Sequence, residues 1–196
     1  MFIELTDILR CPAGHEENVL VLLPDSVVQR QVQSGQLGCM DCGKVYPVRE
    51  GIVEFIATPQ EVQPSQRLTG SAMAALLGLG GPGGYVAMVG GAGERWKEFA
   101  LEVEGVHVLA INPPPGGESG AGVSLAQAAN LPVKNRHLRG VVLGPGYAAD
   151  PAWLADAVRC LLPGLRVVGE SETPSLPELE VLASADGVWV ARTRGV

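Results

Sequence analysis

The sequence predicts an α/β protein in two unequal parts. A small α+β unit held by a metal ion comes first, and a mostly parallel sheet with crossover helices and a final antiparallel hairpin follows. Three observations carry this. Of four cysteines in 196 residues, Cys11, Cys39 and Cys42 crowd into the first quarter. Beyond residue 66, short apolar runs alternate with amphipathic ones, as in parallel strands joined by helices. A glycine cluster, Gly90-Gly91-Ala92-Gly93, separates one such run from the helix expected after it.

Composition narrows the function classes. The chain is 46% apolar and 18% charged, enough for an ordinary core and incompatible with wholesale disorder. A net charge of −7 argues against autonomous nucleic-acid binding, which needs a basic footprint. The first residues, Met1 to Asp7, carry acids where a signal peptide has basic residues. The uncharged stretch Ser71 to Gly93 holds eight glycines and Pro82, so it reads as helix, turn and strand rather than a membrane span. The expected location is the cytoplasm, with protein partners in a larger complex.

Residues 1–57 form the first unit. A helix-like start, Leu5 to Arg10, leads into Cys11-Pro12-Ala13-Gly14-His15. The apolar run Val19 to Leu23 follows, then a polar excursion from Pro24 to Gln36. Leu37 to Val48 reads as strand, tight turn, strand. Cys39-Met40-Asp41-Cys42-Gly43 lies at that turn. Two intervening residues let both thiolates face one ion, and the glycine can take the left-handed conformation that aims amides at sulfur. Zinc takes four ligands, and Cys11 and His15 are the available second pair, with water or another side chain as the other ways to fill the fourth position. A unit this small also needs a staple or a partner to be stable.

The strings Asp7-Ile8-Leu9-Arg10-Cys11-Pro12 and Cys39-Met40-Asp41-Cys42-Gly43-Lys44-Val45-Tyr46-Pro47-Val48-Arg49-Glu50-Gly51-Ile52 resemble the zinc-ribbon family of methyltransferase activators. The resemblance spans about a quarter of the chain. It implies a zinc ribbon that docks onto a methyltransferase fold, here in cis. The family's second cysteine falls on Gly14, and His15 is the neighbour that stands in for it.

Residues 58–66 are polar and contain prolines, a linker pattern. Residues 67–196 form the second unit. Ala72 to Leu79 reads as helix, Tyr85 to Val89 as strand, and Glu94 to about Val103 as helix. Val106 to Ile111 and Gly140 to Leu143 read as strands, Pro151 to Leu162 as helix, and Leu165 to Val168 as strand. Leu179 to Ala183 and Gly187 to Arg192 form the expected hairpin. Cys160 sits on an apolar helix face and reads as a buried small residue. His107 and His137 lack a recognisable Ser or Cys nucleophile beside them and read as structural or solvated. Lys134, Arg136, His137 and Arg139 read as a solvated basic face.

Val86-Ala87-Met88-Val89-Gly90-Gly91-Ala92-Gly93, Asn130-Leu131-Pro132-Val133 and Leu161-Leu162-Pro163-Gly164-Leu165-Arg166-Val167-Val168 resemble elements of the class I S-adenosylmethionine-dependent methyltransferases. That resemblance implies a reduced Rossmann-like sheet with a cofactor site at Gly90, Gly91, Gly93 and Asn112. Met88 and Asn112 stand where the family carries carboxylates. An amide replaces only part of a charge-assisted contact to ribose hydroxyls, so these four positions read as vestigial and S-adenosylmethionine is not expected. The expected function is a non-catalytic scaffold or accessory subunit with structural zinc at Cys11, His15, Cys39 and Cys42. The alternatives are an active methyltransferase with a divergent site, or an activator of a separate methyltransferase.

Overall fold

A computed structural model describes residues 1–15, 19–58, 62–117 and 119–194. Of the expected linker, Pro59, Gln60 and Glu61 lie outside the described residues.

A 3-10 turn, Ile3–Asp7, stands where the sequence suggested a short helix. Two long strands follow, β1 (Leu20–Val28) and β2 (Gln31–Cys39). The segment read as a polar excursion is therefore the body of a hairpin. Its turn residues, Gln29 and Arg30, both have positive φ, 47° and 66°. This mirror-image two-residue turn matches the twist of paired strands but is normally built from Asn or Gly. Here it is braced by the N-terminal segment. Ile3 N donates to Arg30 O at 3.0 Å, and the Arg30 guanidinium pairs with Glu4 and lies over the Phe2 ring. β3 (Val45–Arg49) and β4 (Ile52–Glu54) complete the first unit through the turn Glu50-Gly51.

The helices sit close to their expected places. α1 (Gly70–Leu77) is capped by Thr69, whose hydroxyl accepts from Ala72 N, and is ended by Gly78 at φ 59°. α2 (Trp96–Glu102) starts later than expected because Gly90–Arg95 forms a 3-10 turn. α3 (Pro151–Cys160) begins with Asp150 as cap and Pro151 in the first turn. The other strands are β5 (Tyr85–Val89), β6 (His107–Ile111), β7 (Val123–Gln127), β8 (Leu138–Leu143), β9 (Leu161–Glu170), β10 (Leu179–Ala185) and β11 (Val188–Thr193). β7 was not foreseen, and among the described residues no helix joins it to β6 or β8.

All eleven strands share one sheet, ordered β1-β2-β3-β4-β7-β6-β5-β8-β9-β11-β10. β4 through β9 run parallel, with β4 laid against β7 in the register Ile52–Leu125, Val53–Ala126 and Glu54–Gln127. The first unit therefore continues the sheet of the second. The order reverses between β5 and β8, the switch point at which open α/β sheets bind ligands. The C-terminal hairpin β10–β11 is antiparallel and turns at Asp186-Gly187.

Two cores flank the sheet. On one face Met73, Leu77 and Phe99 from α1 and α2 cover Val86, Met88, Val108 and Val142. On the other, Trp153, Leu154 and Ala157 from α3 share a core with Met1, Leu5 and Leu9 of the N-terminal segment. That segment is stitched to the chain between β7 and β8. Arg10 N donates to Pro132 O at 3.0 Å and Lys134 N donates to Ile8 O at 2.8 Å. The β7–β8 connection is too short to cover its own apolar side chains, and the N-terminal turn buries them instead. No helix among the described residues is long and apolar enough to cross a membrane.

Candidate metal centre and the glycine-loop crevice

Cys39 ends β2 and Cys42 lies in the turn that follows. Gly43 N donates to Cys39 O at 3.0 Å, and Cys39 N donates to Lys44 O at 2.9 Å. Gly43 takes φ 69°, a conformation that closes such a turn at little cost only without a Cβ. Cys11 follows the N-terminal turn and is fully buried. Gly14, at φ 83°, then bends the chain, and Arg10 donates to His15 O at 3.1 Å.

These elements bring Cys11, His15, Cys39 and Cys42 together, with all four ligand atoms within 4.8 Å of one another. The Sγ atoms of Cys11 and Cys42 are 3.9 Å apart, too far for a disulfide. The separation is close to the edge of a tetrahedron with Zn–S bonds of ~2.3 Å, which is ~3.8 Å. His15 Nε2 is buried and has no hydrogen-bond partner among the described residues. An orphaned imidazole nitrogen facing three thiols is the donor set a borderline-soft cation takes, so the four residues can hold a metal ion.

Cys160 lies apart from this cluster. Its thiol donates to Val133 O at 3.4 Å, and burial pushes its pKa up to about 12.

The expected cofactor positions are also brought together, with Gly90, Gly91 and Asn112 against protein atoms and Gly93 lining a cavity. Gly90, Gly91, Gly93 and Asn112 are all buried. A Cβ on Gly90 would lie 2.5 Å from the ring of Tyr147. A Cβ on Gly91 would lie 2.4 Å from Gln63 O and from Ser65 N. The end of the linker is therefore a strap laid over the glycine loop. Glu170, at the end of β9, holds that strap. Ser65 Oγ donates to Oε2 at 2.6 Å, and the amides of Gln66 and Arg67 donate to Oε1 at 3.2 Å each.

Asn112 ends β6 at φ 49° and is wholly buried. Its Nδ2 donates to Ala128 O and its Oδ1 accepts from Ala128 N, both at 2.8 Å. It also hydrogen-bonds Tyr147. Met88, on β5, points into the core beneath α1 and α2. A cavity of about 340 Å³ opens at the end of the loop, lined by Gly93, Glu94, Trp96, Lys97, Pro113 and Leu125.

Two sequence readings gain detail. Ser124 Oγ sits 2.9 Å from His107 Nε2, a pair the sequence did not reveal. Ser124 is fully buried and accepts from Phe2 N at 2.8 Å, so the pair ties the N-terminal segment to β6 and β7 and offers no nucleophile to solvent. The basic face is partly spent on carbonyls. Arg139 donates to Gly80, Gly81, Pro82 and Gly83, and Lys134 donates to Asp7 O.

Residues 3–51 match the family described as Trm112p-like protein. The N-terminal quarter of the chain is Trm112p-like. Among curated proteins none matches the chain. Solved structures resemble it loosely. A complex of the Haloferax volcanii Trm112 methyltransferase activator with a putative methyltransferase is 17% identical over 52% of this chain and 50% of that one, at a TM-score of 0.43. The antibiotic-resistance methyltransferase Kmr is 15% identical over 70% of this chain and 98% of that one, at 0.45. Geranyl diphosphate C-methyltransferase from Streptomyces coelicolor A3(2) is 13% identical over 51% of this chain and 41% of that one, at 0.43. The chain thus spans about half the length of the Haloferax structure it matches. The matched segment ends at Gly51, immediately before β4, the strand that joins the parallel sheet.

Proposed function

We propose that the protein is a non-catalytic scaffold or accessory subunit of a larger protein assembly, built from a zinc-stapled Trm112p-like ribbon and a methyltransferase-like sheet that has lost its cofactor. One observation carries this reading. At Gly90, Gly91 and Asn112 the crevice at the switch point is occupied by the chain's own atoms: the Tyr147 ring on Gly90, the strap on Gly91, and Asn112 turned inward onto Ala128. An S-adenosylmethionine laid over Gly90 and Gly91 would have to displace the Tyr147 ring and the strap, and neither Met88 nor Asn112 offers it a carboxylate. The Trm112p-like segment leads directly into β4, which pairs with β3 on one side and β7 on the other, so the sheet it docks against is supplied in cis. What remains for partners is the outer surface, consistent with work done by binding and not by turnover.

Zinc fits the metal cluster. Three thiolates and one imidazole would fill a tetrahedral shell and leave no open position, so the ion would supply folding energy and no chemistry. His15 takes the place of a fourth cysteine.

Calorimetric titration with S-adenosylmethionine tests the first part. No binding is expected up to the millimolar range, and micromolar binding would overturn the proposal in favour of an active methyltransferase. Mass spectrometry of the protein pulled down from its native cytoplasm is expected to return stoichiometric partner subunits.

A further inference from the structure

The three sulfurs of the metal cluster are held differently. Cys39 Sγ accepts from the backbone amides of Asp41 and Cys42, and Cys42 Sγ accepts from that of Lys44. Cys11 is met by a side chain. The hydroxyl of Tyr46 lies 3.0 Å from its Sγ, and both residues are buried. In a thiol–phenol pair either group can donate. A sulfur bound to a metal carries no proton, so there the phenol is the donor.

The charge balance makes that hydrogen bond consequential. Three thiolates, a neutral imidazole and a divalent ion leave one excess negative charge in a site where Cys11 and Cys39 are buried and Cys42 is exposed. Such a charge is costly unless dipoles face it. Outer-shell donors also fix the orientation of a ligand and draw electron density from it. Tyr46 is itself well fixed. Its ring packs against Phe55 with centroids 4.9 Å apart, and Phe55 N donates to Gln127 O at 2.8 Å, beside the seam between β4 and β7.

We propose that Tyr46 is a positioning residue of the metal centre, its hydroxyl donating to the Cys11 thiolate. The inference rests on the reading of the cluster as a zinc site. It assigns to Tyr46 a role in metal retention beyond its place in the core.

The test uses the full chain loaded with zinc, and then with cobalt(II) as a coloured substitute. Tyr46→Phe keeps the ring and its packing on Phe55 and removes only the donor. Zinc affinity, measured by competition with a chromophoric chelator, is expected to fall about 10- to 100-fold. The sulfur-to-cobalt charge-transfer band is expected to move to lower energy. Phe55→Leu disturbs the ring packing but keeps the hydroxyl, and is expected to leave that band in place. A Tyr46→Phe protein with the wild-type affinity and an unmoved band would overturn the proposal. Should that variant not fold, the wild-type chain made with 3-fluorotyrosine carries a stronger phenol donor, and an unmoved band there would also overturn it. A wild-type chain that binds no zinc would instead sink the zinc reading itself.

Discussion

The Asn112 side chain is bonded at both ends to the backbone of one residue, Ala128, with Nδ2 to O and N to Oδ1 each at 2.8 Å. An amide can satisfy a carbonyl and an N–H together, and a carboxylate cannot. The side chain that ends β6 therefore serves the fold. Restoring the acid, Asn112→Asp, would set a buried carboxylate against the Ala128 carbonyl. We expect a loss of roughly 3 kcal/mol in urea denaturation and no gain in S-adenosylmethionine binding. Binding that appears in this variant would contradict the occupied crevice.

Glu170 and Gly91 hold the strap from opposite sides. In Glu170→Ala the Ser65 hydroxyl and the amides of Gln66 and Arg67 lose their acceptor, at a cost of about 1–3 kcal/mol. In Gly91→Ala the new methyl meets backbone at 2.4 Å, so the strap must move. Hydrogen exchange at Gln66 and Arg67 is expected to quicken in both variants. Unchanged protection would mean that the strap is held by other contacts.

Elemental analysis is expected to find one zinc per chain. Chelation is expected to lower Tm, because metal binding at such a site is also folding energy. His15→Ala removes a ligand outright and is expected to weaken zinc more than the roughly 10- to 100-fold that loss of an outer-shell contact costs. Full zinc retention in His15→Ala would hand the fourth position to another group.

His107 makes stability depend on pH. Burial lowers its pKa from 6.5 to about 4. Between those values the unfolded chain takes up a proton that the folded chain refuses. The contribution is therefore complete above pH 6.5 and is lost as pH falls toward 4. Discounted for the partial exposure of the ring, the loss is about 2 kcal/mol. His107→Gln keeps a partner for Ser124 but does not titrate. Its denaturation free energy is expected to fall less than that of the wild type over this range. Parallel curves would show that His107 is not the titrating group.

The two hairpins show what local chemistry can announce. Asp186-Gly187 carries the residues that a two-residue turn favours, and β10 and β11 were readable on either side of it. Gln29-Arg30 adopts the same left-handed pair of conformations with neither residue suited to it. Its strands are exposed along much of β1, which removes the alternation that marks a half-buried strand. That turn is held by Ile3, Glu4 and Phe2, all more than 25 residues away in sequence, so no local window contains its cause.

The amino-acid order alone determined the parallel alternation after residue 66, the glycine loop, the positions of the three helices and the Cys-x-x-Cys turn. Each rests on contacts within a few residues, where spacing and backbone preference suffice. Only the tertiary structure decided that His15 meets the three cysteines, that β4 pairs with β7 and makes one sheet of two units, and that Tyr147 and the strap occupy the crevice at Gly90 and Gly91. Those outcomes join residues tens of positions apart. They follow from which buried surfaces and polar groups find partners once the chain is compact, and a linear pattern carries no record of that.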